Sequence, residues 1–171
     1  MHSLQILLLA FFDICRLRLG PQDLPASSVL LGLSLLIYLV VTGTLSLIQF
    51  PTKDAILLSI VEICLLVVLM SSLLYITHYA ARITQTITAL AATNSILGMF
   101  TLPLVLWIEY YGGDVSLPVL IILGLIVWNF IIHAHILRHA LTVSLFMGSI
   151  LTLIIQFLNF SILNQLFTFT N

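Results

Sequence analysis

Long stretches without a charged residue dominate the chain, broken at a few points by short polar or Pro/Gly-containing segments. Apolar runs at about 29–50, 55–76, 83–108, 117–137 and 140–163 are each close to the roughly 20 residues that carry a helix across about 30 Å of hydrocarbon. Pro51 to Asp54 is the whole link between the first two, so they are predicted to form an antiparallel hairpin. The last two meet at Arg138 and His139 with almost no loop and form a second hairpin. The third span stands between the hairpins, opens on the polar stretch RITQT and contains Pro103, which removes a backbone donor and should kink it. Glu109 to Ser116, with Gly112 and Gly113, is predicted to be a turn.

The first 19 residues follow a different pattern. Leu4, Leu7, Leu8, Phe11, Phe12 and Cys15 recur at helical spacing, while Gln5, Asp13 and Arg16 interrupt the run. It is short for a span, and its arginines follow the apolar stretch where a cleavable leader would place them before it. An amphipathic helix lying in the cytoplasmic interface fits best. Gly20, Pro21 and Pro25 then break the chain, with Ser27 or Ser28 as N-cap of the first span. The predicted fold class is therefore an all-α integral membrane protein. Residues 1–26 form the interfacial helix and linker, and residues 27–171 form a five-helix domain.

Composition agrees with this reading. Of 171 residues, 61% are hydrophobic and 6% charged, against about 25% charged in an ordinary soluble domain, and the mean hydropathy is +1.26. The main solvent is lipid. A net charge of -1 without a basic cluster excludes nucleic acid as a partner. Arg16, Arg18, Arg82 and Arg138 fall on one side of the membrane and Lys53 on the other, so the positive-inside bias places the amino terminus in the cytoplasm and Asn171 outside. Cys64, inside an apolar run, reads as a small core residue and Cys15, near a predicted interface, as a free thiol, so the two are not expected to meet as a disulfide.

Three groups of residues could carry chemistry. Glu62, seven positions into the second span and about 10 Å from its outer end, is the one acid inside a span. It must be neutral or hydrogen-bonded within the bundle, and Gln156 on the fifth span lies at a matching depth. A proton-relay role competes with a polar packing role, and the absence of companion acids favours packing. The third span combines Arg82, Thr84, Gln85, Thr86, Thr88, Thr93, Asn94 and Ser95 with Ala81, Ala89, Ala91 and Ala92, a pattern suited to close helix contact. Asn94 needs a partner such as Asn129, a substrate or a lipid headgroup. Finally, His133, His135 and His139, with His78 at the same depth, make a metal or haem site conceivable, although no HExxH motif or nearby acid or cysteine supports it. No GxSxG, Walker loop or CxxC is present, and no cofactor is expected.

ARITQTITALAATNSILGMFTLPL at 81–104, WNFIIHAHILRHAL at 128–141 and DICRLRLGPQDLPAS at 13–27 resemble segments of small multispan proteins of bacterial inner membranes. In general plan the chain is similar to the Yip family of five-span proteins, whose eukaryotic members bind Rab GTPases and shape transport vesicles. It lacks the long soluble amino-terminal region with which those members meet their partners, so GTPase binding is not carried over. The resemblance implies a non-catalytic protein of the bacterial inner membrane and transfers no active site. The expected function is an accessory or scaffolding subunit that contacts another membrane complex, or itself, through its helices within the bilayer. The rivals are a small carrier or proton-conducting subunit using Glu62, Asn94 and Gln156, and an electron-transfer subunit using the histidines.

Overall fold

The computed structural model describes residues 2–111 and 113–168, so Gly112 of the predicted turn and the terminal Asn171 lie outside the described residues. The described residues are helical with short connections: α1 (His2–Cys15), α2 (Ser28–Gln49), α3 (Thr52–Ile76), α4 (Ile83–Tyr110), α5 (Ser116–Leu141) and α6 (Leu145–Thr168), with 3-10 turns at Pro21–Asp23 and Ala80–Arg82. Five helices are long and apolar enough to cross a membrane, and α1 is the short apolar helix before them. The chain is an all-α, multi-pass membrane protein.

Helix ends follow local chemistry. Ser27 is the N-cap of α2, its Oγ accepting from Leu30 N–H at 3.4 Å. Phe50 and Pro51 are all that separates α2 from α3, which forces the hairpin. Asp114 Oδ1 accepts from Ser116 N–H at 2.9 Å at the entrance to α5, and hydrogen bonds from the Ser116 hydroxyl and N–H hold the Asp114 carboxyl below its usual range.

The far ends hold a signal that composition hides. Leu17, His78 and Thr142 take left-handed backbone angles (φ 61°, 66° and 54°) just after α1, α3 and α5. In each case the next N–H reaches back five residues, from Arg18 to Asp13 O (2.9 Å), Tyr79 to Leu74 O (2.8 Å) and Val143 to Arg138 O (3.1 Å). This is the Schellman stop, which glycine usually supplies. Because a threonine fills the position here, α5 continues past the expected end at 137, and its link to α6 is Thr142 to Ser144 rather than Arg138 and His139.

The spans close into a ring. Around it α4 packs against both α2 and α5, α2 against α3, α3 against α6 and α6 against α5. Every residue from Thr86 to Thr93 of α4 is buried. The polar groups there cost little, because Thr86, Thr88, Thr93 and Ser95 donate to the carbonyls four residues earlier at 2.7–2.8 Å. Small volume and internal satisfaction let neighbouring backbones approach. Pro103 lies inside α4 without ending it. α1 docks on α4 and α5, with Ile14 fully enclosed and Trp128 Nε1 donating to Cys15 O at 3.1 Å.

α5 and α6 approach closely at Gly148, where an added Cβ would lie 2.7 Å from Ala134 O, a backbone atom that cannot rotate away. Gly148→Ala is therefore expected to destabilise the bundle by about 1–2 kcal/mol, since overpacking must push the helices apart. Gly124→Ala, with nothing within 4 Å, should be neutral. Unfolding in mixed micelles measures both, and equal stabilities would contradict the close contact.

Candidate functional site

The middle of the bundle holds polar side chains from all five spans. Glu62 lies ten residues after the start of α3, about 15 Å along the helix. The count differs from the seven positions expected because α3 begins at Thr52 directly after Pro51, three residues before the expected start of the span. Tyr38 of α2 donates its phenol hydrogen to Glu62 Oε1 at 2.8 Å. Asn94, eleven residues into α4, lines the same cavity as Tyr38. From α5, Asn129 Nδ2 donates to Asn94 Oδ1 at 2.9 Å and His133 Nε2 lies 2.8 Å from the same oxygen. Asn94 Oδ1 is an acceptor, so His133 carries its hydrogen on Nε2.

Two hydrogen-bonded groups, Tyr38 with Glu62 and Asn94 with Asn129 and His133, thus make up a polar network from α2, α3, α4 and α5 around one cavity. Gln156 of α6 stands on the same cavity, together with Asn159, but the hydrogen bond of Glu62 goes to Tyr38. The cavity measures about 430 Å³, and most of its remaining wall is aliphatic, including Leu66, Leu97, Leu125 and Ile155, with Thr42 and Thr101 also on it. No Lys or Arg lines it. Asn159 Oδ1 is a buried acceptor with no hydrogen-bond partner among the described residues. Such a mixture, mostly apolar walls with a few convergent polar groups, is how small-molecule sites are built.

The histidines do not gather. His133 belongs to the network just described, His135 Nε2 lies 3.1 Å from Leu19 O, and His139 stacks edge-on against His135 with ring centroids 4.5 Å apart. His78 occupies the left-handed turn after α3. Among the described residues no group of three or more His, Cys, Asp or Glu is arranged to hold a metal ion. What the lower histidines do instead is tie the linker after α1 to the bundle: Gln22 Nε2 lies 3.4 Å from His139 Nδ1, and Gln85 Nε2 donates to Leu24 O at 2.6 Å. At the same end the Arg82 guanidinium donates to the carbonyls of His139 and Ala140, at 3.0 and 2.9 Å, satisfying the last turn of α5.

The cysteines are both free. Cys15 is buried, and burial pushes its thiol up to about 11, which leaves it unreactive at neutral pH. Cys64, expected in the core, is instead exposed on the outside of α3. An apolar helix in lipid offers no hydropathy contrast between its inner and outer faces, so a cysteine within it carries no sign of which face it occupies.

Tyr38 is the member that sequence reading missed. A lone tyrosine in the middle of an apolar span was its only trace, eleven residues before the end of α2 and so at nearly the same depth as Glu62. Comparison with protein families, with curated protein sequences and with solved structures gives no match to this chain.

Proposed function

We propose that this chain is a small carrier of the bacterial inner membrane, its amino terminus cytoplasmic, which takes a solute into the cavity beside Glu62. The observation that supports this most is the position of the cavity, in the middle of the spans and bordered by an acid, a phenol, a histidine and four amides. A purely structural polar network gains by excluding space around its members, because every unsatisfied group in a bundle costs free energy. Here the network borders about 430 Å³ of space and leaves the Asn159 oxygen without a partner. Inner-membrane placement follows the resemblance of the apolar segments. Orientation follows the arginines, four of which stand at one end of the bundle.

The rival is an accessory subunit without a solute, the role favoured when Glu62 is taken as isolated. Liposomes loaded with a mixture of small amines, alcohols and carboxylic acids separate the two. Protein-containing liposomes should exchange at least one class faster than protein-free ones. Thr101→Phe, which fills the cavity from α4, should stop that exchange while the variant still melts cooperatively. Absence of exchange for every class supports the accessory role instead.

Orientation has its own test. In a background with Cys15 and Cys64 replaced by alanine, Thr52→Cys in the α2–α3 turn is expected to react with a membrane-impermeant maleimide on intact cells. Ala81→Cys should react only after the membrane is opened. Both positions are exposed, so reversed labelling refutes the orientation rather than the fold.

A further inference from the structure

The cavity is unbalanced in charge, and the imbalance indicates what kind of solute it suits. Tyr38 and His133 spend their hydrogens on Glu62 Oε1 and Asn94 Oδ1, and the amides of Asn94, Asn129, Gln156 and Asn159 offer donors and acceptors alike. The carboxyl has no such balance. Glu62 receives one hydrogen bond at one of its two oxygens, and Asn159 Oδ1, on the opposite hairpin, receives none among the described residues. Glu62 is also the only group on the cavity able to carry a negative charge near neutral pH, and no Lys or Arg lines the space to balance it.

A carboxyl group in that position has two stable conditions, holding a proton of its own or facing a cation, since an unpaired ion in a membrane interior is expensive. An incoming solute with a positive charge satisfies Glu62. The aliphatic remainder of the wall calls for an apolar body behind the charged group. An inorganic cation would leave that wall without a partner, and it would need a shell of oxygens that one carboxylate and scattered amides do not supply.

We propose that the cavity binds a small organic ammonium ion with an apolar body, in exchange for the proton of Glu62. This rests on reading the cavity as a solute site and names the class of solute. The exchange balances: the O–H bond of the neutral carboxyl breaks, its proton leaves to water, and the ammonium ion takes its place as the single positive charge. No bond to the solute is formed. The other titratable groups facing this position are Tyr38 from α2 and His133 from α5, while α4 and α6 present only amides and hydroxyls, chiefly Asn94, Gln156 and Asn159.

The test uses the full chain in lipid nanodiscs and two probes of similar shape, 2-phenylethylammonium and neutral 2-phenylethanol, with binding followed by calorimetry. The ammonium probe should bind more tightly as pH rises, by up to about tenfold per unit over the range in which the free protein still holds the Glu62 proton, the slope of one proton released per cation taken up. The amine keeps its charge throughout, as alkylammonium groups lose their proton only near pH 10. Glu62→Gln should melt like the parent yet lose the ammonium binding and its pH slope, whereas Glu62→Asp should keep the slope. His133→Gln should also keep it, because the exchanged proton is not on the imidazole.

Binding of the alcohol alone, or ammonium binding without a pH slope, overturns the exchange and leaves the solute site standing. A slope that survives in Glu62→Gln assigns the proton to another group and overturns the inference as well. If neither probe binds while the mixed-class liposomes still show exchange, the ammonium assignment fails by itself. Failure of both experiments removes the solute site too.

Discussion

Asn94→Leu is expected to destabilise the bundle by about 2–4 kcal/mol, more than any other single truncation in the network. Leucine keeps asparagine's branch at Cγ but is bulkier, and Asn129→Leu carries the same added bulk, so the difference between the two variants is one of hydrogen bonding. The Asn94 oxygen is the common acceptor for Asn129 and His133, at 2.9 and 2.8 Å, and its removal strands two donors of α5 at once. A buried group left without a partner costs about 1–3 kcal/mol, though interhelical hydrogen bonds in membranes are often worth less, about 0.6 kcal/mol on average, because the separated helices find other partners. Asn129→Leu and His133→Leu each remove a single donor and should cost less. In a double-mutant cycle Asn94→Leu and His133→Leu should be less than additive, since the second change removes a donor that the first had already orphaned. Unfolding free energies in bicelles measure all of these. A loss in Asn94→Leu no greater than that in Asn129→Leu would show that Asn94 is not the junction.

Glu62 yields the second large effect, and it divides between stability and transport. Glu62→Gln keeps an acceptor for the Tyr38 hydroxyl at 2.8 Å, so its stability should stay within about 0.5 kcal/mol of the parent. Glu62→Leu strands the phenol and should cost about 1–2 kcal/mol. Tyr38→Phe removes the donor from the other side. It should cost about 1 kcal/mol in the parent and almost nothing on top of Glu62→Leu, a coupling that isolates this one contact. Exchange of solute should follow a different order. Both Glu62→Gln and Glu62→Leu are expected to lose it, because neither side chain can trade a proton for a cation. If Glu62→Gln transported normally, the carboxyl would be a packing group, as its apparent isolation in sequence suggests.

That isolation is where the sequence and the folded chain part company. Five apolar segments, two hairpins and a short amino-terminal helix are readable from order alone, because the length of an apolar run and the presence of Pro51 are local facts that bind the chain wherever it folds. The close-packed character of α4 is readable for the same reason: alanines, threonines and Ser95 are small in any environment. The largest boundary shifts have causes that are not compositional, and they include α6, which is Leu145–Thr168 where 140–163 was expected. α3 starts at Thr52 directly after Pro51, and α5 runs on to Leu141 because Thr142 adopts a left-handed angle that nothing in a threonine announces.

Facing is what only the tertiary structure decided. In water an amphipathic helix reveals its inner face by contrast, but in lipid both faces of α2 and α3 are apolar, so the azimuth of Tyr38, Glu62 and Cys64 is set by how the helices pack. Packing turned Cys64 outward, joined Tyr38 to Glu62 across 24 positions of sequence, and brought Asn94 to Asn129 and His133. The same choice left His133 in the polar network and His139 against His135, with no metal-holding group of three or more among the described residues, and gathered the polar groups of five spans around one cavity. Sequence determined which residues could reach the middle of the membrane; the fold determined which of them meet there, because hydrogen bonds between helices form only after the backbones have come together.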